Sequence, residues 1–149
     1  MNDTNFLGSI DKSDAYIFTS LCGFGWFIGD VAPLIFDVQE SIYNNKGINF
    51  NSLTHLNDIG LLNFNNISGF KRIGLPKLIT ISYYGTPLNL EFQKPENNDL
   101  ETGKVLLSKT GLQLSRICGS KPVDGFIDYV IEQWAKKGIV LSTPYPLNK

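Results

Sequence analysis

The chain has 149 residues, 42% of them hydrophobic, 12% aromatic and 18% charged. At this size about two-thirds of the surface is hidden on folding, which gives one domain, or two very small ones, with a real core and excludes a disordered chain. Thirteen Lys and Arg against fourteen Asp and Glu leave a net charge of −1, a poor start for a nucleic-acid binder, whose affinity rests on cations that neutralise phosphates.

Residues 1–12 read as a flexible polar lead, with no basic stretch ahead of an apolar one to mark a secretory signal. Ser13 and Asp14 supply a helix cap and a first-turn acid. From Ala15, the series Ile17, Phe18, Leu21, Cys22, Phe24, Trp26 and Ile28 predicts a helix apolar nearly all round, weakened by Gly23, Gly25 and Gly29. Pro33 suits the first position of a second short helix to about Tyr43, ended by an Asn44–Gly47 turn. Together these form an N-terminal helical layer. Asp30, Pro33 and the glycines interrupt Ile17–Phe36, so it lacks the roughly 20 apolar residues of a membrane span, and no membrane partner is expected.

Asn51 or Ser52 caps a third helix with Leu53, Leu56 and Ile59 inside and Gly60 at its left-handed end. Strands are predicted over Leu61–Phe64, Ser68–Ile73, Leu78–Tyr84, Leu88–Phe92 and Lys104–Leu107, with Glu96–Asp99 a polar loop. Thr110 and Gln113 have capping-box spacing for a helix to about Ile117. Pro122 opens the closing amphipathic helix, with Val123, Phe126, Ile127, Val130, Ile131 and Trp134 on one face and Lys136, Lys137 and Gly138 at its end. A strand at Ile139–Leu141 and a tail over 143–149 follow, so that residues 13–142 make a single domain.

The chemistry-bearing residues are sparse. Cys22 and Cys118 sit among apolar residues and read as buried free thiols; with His55 the only histidine, no zinc spacing exists, and no metal or cofactor is expected. Gly103-Lys104 lacks the spacing of a phosphate loop. His55 stands at helical spacing from Asp58, yet no nucleophile motif or carboxylate pair accompanies it. Phe70, Lys71, Arg72, Lys77, Tyr83 and Tyr84 mix aromatics with cations, as single-strand binders do, but alternation predicts most of those rings inside.

Ser52-Leu-Thr-His-Leu-Asn-Asp-Ile-Gly-Leu-Leu62 resembles a winged-helix third helix running into its first wing strand, and Leu107-Ser-Lys-Thr-Gly-Leu-Gln-Leu114 resembles the end of the wing. From Phe24-Gly-Trp-Phe-Ile28 through Pro33-Leu-Ile-Phe36 and Gly47-Ile-Asn-Phe50 to that block, the chain is similar to the C-terminal part of an uncharacterised bacterial family, a domain of unknown function. The resemblance implies an α+β fold: a winged-helix-like core with an enlarged β-wing, the N-terminal helical layer and the C-terminal amphipathic helix.

The functional expectation is a non-catalytic protein-interaction or self-association domain of a bacterial cytoplasmic protein. Its partner is another protein or a homodimer copy. The expected surface comprises Phe24, Trp26, Phe27, Ile28, Leu34 and Phe36, since a short helix pair can turn only part of that run inward. The alternative is a winged-helix nucleic-acid-binding module, contacting its ligand through Asn51, Thr54, His55, Lys71 and Arg72. Against it, the presumed recognition helix carries no Arg or Lys. An enzyme ranks third, and a deep polar pocket around His55 would be its mark.

Overall fold

The computed structural model describes residues 10–144; most of the predicted lead and tail lies outside the described residues. Helix α1 is Lys12–Cys22, followed by strands β1 (Gly25–Ile28) and β2 (Asp30–Pro33), the short helix α2 (Ser41–Asn44) and helix α3 (Phe50–Asp58). Strands β3 (Leu62–Phe64), β4 (Phe70–Leu75), β5 (Leu78–Tyr83), β6 (Thr86–Glu91), β7 (Asn98–Gly103) and β8 (Val105–Leu107) come next. Helices α4 (Lys109–Ser115) and α5 (Phe126–Ala135) and strand β9 (Val140–Ser142) complete the described fold. The α+β class expected from the sequence is the class observed.

The N-terminal helical layer is not. Only its first half is helical. Phe24, Trp26 and Ile28 are buried while Phe27 between them is exposed, a period of two, and Gly25 and Gly29 fill the other alternate places. That spacing belongs to a strand. Gly29, at φ +81°, makes the tight reversal that pairs β1 with β2, Trp26 opposite Ala32. Pro33 therefore closes an edge strand, where a missing amide donor is tolerated, and starts no helix. The segment from Pro33 to Tyr43 is helical only at its end.

Five strands form one antiparallel sheet in the order β2-β1-β5-β6-β9, and β3-β8 and β4-β7 form separate antiparallel pairs. β3 and β8 pair between α3 and α4, Leu62 opposite Leu107. The chain between them is no simple wing: β5 and β6 leave to join the N-terminal hairpin, and β4 pairs with β7. Strand β7 replaces part of the predicted polar loop because polar residues carry it. Asn98 is buried, donating through Nδ2 to the Leu75 and Lys94 carbonyls at 3.2 and 2.9 Å and accepting from Lys94 N–H.

Helix starts shift for local reasons. Asp11 caps α1 in a reciprocal box with Asp14, displacing Ser13 from that role. Asn49 caps α3, with Ser52 as the third residue of its box. Ser108 caps α4 through the Gly111 amide, upstream of the predicted Thr110. Helix α5 begins at Phe126 after Gly125 at φ +80°; the preceding turn is held instead by Val123 N–H, which donates to Tyr83 Oη at 2.7 Å.

The inner face of the sheet, the helices and the β3-β8 pair enclose one core. Its centre is aromatic: Trp26 stacks on Tyr83 at 5.1 Å, Trp134 meets Trp26 edge-on at 6.1 Å, and Phe126 meets Phe24 edge-on at 4.9 Å. Phe126, Val130 and Trp134 are fully buried, as the closing helix's periodicity requires. Two glycines permit the closest approaches. A Cβ on Gly111 would run into the Leu61 carbonyl, and one on Gly103, at φ +94°, into the Ile35 carbonyl.

Candidate functional site

The outer face of the five-stranded sheet is a surface whose residues are set by strand register and left uncovered by the described fold. Directly opposed residues of antiparallel strands share a face, so the registers fix three rows. The first is Phe27, Ser82 and Pro87; the second Thr80, Asn89 and Ser142; the third Leu78, Glu91 and Val140. The end rows present large apolar side chains: Phe27 is 55% exposed, Leu78 63% and Val140 61%. The middle row is neutral and polar, with Thr80 Oγ1 donating to Asn89 Oδ1 at 2.7 Å. Glu91 is the charged residue of these rows, and Lys77 lies 3.9 Å from it.

Beyond the first row Tyr84, 43% exposed, occupies the turn after β5 at φ 47°. Its hydroxyl donates to the Cys22 carbonyl at 3.1 Å and lies 2.6 Å from Ser120 Oγ. Burial raises its pKa, against the opposing effect of the Ser120 contact. A hollow of about 270 Å³ lies here, lined by Phe27, Val31, Ser82 and Tyr84 among others.

Of the six residues expected to form an interaction surface, Phe27 alone is exposed. Phe24, Trp26, Ile28 and Leu34 are buried, and Phe36 is half-buried against Trp134, ring centroids 5.9 Å apart. Four of the six are thus core residues, and Phe36 packs against that core. The sheet closes over the apolar run because the run itself enters the sheet. Leu78 and Val140 were missing from the expected set although each sits in an unbroken apolar pair or triplet, Leu78-Ile79 and Ile139-Val140-Leu141. Neighbouring strand residues point to opposite faces, so one of each pair had to point out.

The residues named for nucleic-acid contact lie apart. Asn51, Thr54 and His55 are on α3, Lys71 and Arg72 on β4. His55 Nε2 meets Asp14 Oδ1 at 2.6 Å, not Asp58, so the histidine ties α3 to α1. Arg72 donates to the Ile28 carbonyl and to Asp30 Oδ1, both at 2.7 Å, bracing the β1–β2 turn. Lys71 pairs with Asp99 at 3.2 Å. Lys71 and Phe70 do meet Lys104, Lys137 and Phe36 around a cleft of about 620 Å³, in which Glu101 lies 2.9 Å from Lys137.

Among the described residues no group of three His, Cys, Asp or Glu is placed to hold a metal ion. No helix among them is long and apolar enough to cross a membrane.

Neither the curated proteins nor the solved structures give a match to this chain. A family model described as "Protein of unknown function (DUF2806)" matches residues 2–131, which takes in α1 through the greater part of α5, including the sheet's β1, β2, β5 and β6. The chain belongs to the family DUF2806, of unknown function.

Proposed function

We propose that the chain is a non-catalytic interaction domain of a bacterial cytoplasmic protein, and that it pairs with a second copy of itself through the outer face of the five-stranded sheet. The supporting observation is the exposure of Phe27, Leu78 and Val140 on that one face. Clustered exposed apolar side chains mark partner sites far more often than scattered ones do. The rows also suit a two-fold partner. A two-fold axis along the neutral middle row lays the first row of one copy over the third row of the other, as an isologous interface requires.

Size sets the strength. Strands spaced about 4.8 Å apart, with roughly five residues each at ~3.3 Å, give this face roughly 400 Å². Two such faces bury roughly 800 Å², less than the ~1,200–2,000 Å² of stable interfaces. The expected dimer is therefore weak, with a Kd of roughly tens of micromolar or more. Free Cys22 and Cys118 suit a reducing compartment.

Amide NMR spectra across a concentration series test the surface. Shifts confined to residues of the three rows and Tyr84 are expected. Concentration-dependent shifts confined to α3 and β4, or none at high micromolar concentration, would contradict the proposal.

A further inference from the structure

Cys22 is the last residue of α1, and Cys118 lies in the segment that follows α4. That segment is seated on the end of α1 at several points. Thr19 Oγ1 donates to the Cys118 carbonyl at 3.4 Å. A Cβ built on Gly23 would stand 2.9 Å from the Lys121 carbonyl. Tyr84 Oη bridges the Cys22 carbonyl and Ser120 Oγ. Contacts therefore flank Cys22 on both sides, and the facing segment carries Cys118. The two thiols lie close enough to influence each other, and Cys118 Sγ lies 3.7 Å from the Ser115 carbonyl.

The pair is asymmetric. Cys22 is buried, whereas Cys118 is half-buried and opens into an apolar hollow of about 330 Å³ between α1 and α4, lined also by Phe18, Thr19 and Leu114. An accessible thiol beside a shielded one is the arrangement of an attacking and a resolving cysteine.

We propose that Cys22 and Cys118 form a redox-modifiable dithiol, which a small disulfide oxidant converts into an intramolecular disulfide. The Cys118 thiolate attacks one sulfur of the oxidant RSSR, forming a Cys118–S–S–R bond and releasing RS⁻. Cys22 then loses its proton and attacks Cys118 Sγ, forming the Cys22–Cys118 bond and releasing a second RS⁻. Two cysteine thiols are oxidised, one RSSR is reduced to two RSH, and two protons pass from the cysteines to the leaving thiolates. The electrostatics point the same way. The Cys22 thiol lowers the Cys118 pKa to about 6, helped by Ser120 and Thr19, while the Cys22 thiol itself is pushed up by the neighbouring Cys118 and by burial. Thiolate character then resides on the exposed sulfur, the one an oxidant reaches first.

The test is incubation of the reduced, folded chain with oxidised glutathione near neutral pH, followed by intact mass and peptide mapping under non-reducing conditions. Expected is a monomer lighter by two hydrogens, with one cross-linked peptide joining Cys22 to Cys118. Cys22→Ser should stop at a single glutathione adduct on Cys118, and Cys118→Ser should remain unmodified. Retention of both free thiols by the wild-type chain, a lasting glutathione adduct on Cys118 in it, or disulfides only between chains would each overturn the proposal. The wild-type measurement decides the matter without either variant.

Discussion

The Trp134 indole N–H donates to the Glu101 backbone carbonyl at 2.9 Å, fastening α5 to β7. Trp26, its edge-on neighbour, is equally buried, yet its own indole N–H has no acceptor among the described residues. Two tryptophans of like burial thus differ in one hydrogen bond.

That difference separates their substitutions. Trp134→Ala should cost roughly 3–5 kcal/mol, from lost transfer energy and a cavity. Trp134→Phe also removes a buried donor from the Glu101 carbonyl, which adds about 1–3 kcal/mol to the volume lost. Trp26→Phe loses similar volume and no hydrogen bond, so it should be the milder of the two. Urea melts give both values, and equal costs would contradict the role assigned to the Trp134–Glu101 bond.

Tyr83→Phe tests the junction between sheet and helices. The Tyr83 hydroxyl donates to the Gly23 carbonyl at 2.5 Å and accepts from Val123 N–H at 2.7 Å. Its removal strands both backbone groups and should cost about 1–3 kcal/mol. The phenol's pKa is raised to about 12 by burial, so its bond to the Gly23 carbonyl should survive to about that pH and be lost above it, while the Val123 amide keeps its acceptor. A substitution within about 0.5 kcal/mol of wild type, as at a surface site, would contradict this.

Gly111→Ala predicts a reversed sign. In an exposed helix interior this change gains up to about 1 kcal/mol. Gly111 faces the Leu61 carbonyl too closely for a Cβ, so the backbone must move, at about 1–3 kcal/mol by analogy with overpacked cores. A thermal melt showing stabilisation would mean that α4 is not pressed against the α3–β3 junction.

Much of this fold was legible in sequence where one pattern had one reading. The closing helix carries Phe126, Val130 and Trp134 at intervals of four, and all three are buried. The strands over Leu78–Tyr83 and Thr86–Glu91 follow alternation that no helix would show. The Phe24–Ile28 segment failed because nearly every residue is apolar or glycine. Such a run satisfies periods of 2 and 3.6 alike, and only the exposure of Phe27 tells them apart. Strand β7 failed for the opposite reason: Asn98 and Thr102 are inward-facing polar residues whose bonds to backbone carbonyls are tertiary and leave no hydropathy signal. The outer face was illegible for a third reason. Phe27, Leu78 and Val140 are 51 and 62 residues apart in turn, and strand order alone brings their rows together.

Alkylation of Cys118 should have an unusually low pH midpoint. With its pKa lowered to about 6 by the Cys22 thiol first and by Ser120 and Thr19 after, and with Cys22 and Tyr84 the titratable groups around it, the rate with iodoacetamide should rise through about pH 6 and level off by neutrality. Cys22 should stay unreactive in the folded chain. In Cys22→Ala, which removes the partner group altogether, the midpoint should move upward. A wild-type midpoint at the ordinary thiol value would contradict the pairing.

Sedimentation equilibrium on the wild-type chain and on Phe27→Glu/Leu78→Glu tests the association surface most directly, because both side chains are exposed and their loss leaves the core intact. The wild type should show a reversible monomer–dimer equilibrium at high micromolar concentration, and the variant should remain monomeric with unchanged thermal stability. A wild-type chain that stays monomeric throughout that range, or a variant that dimerises as strongly as the wild type, would contradict self-association through the outer sheet face.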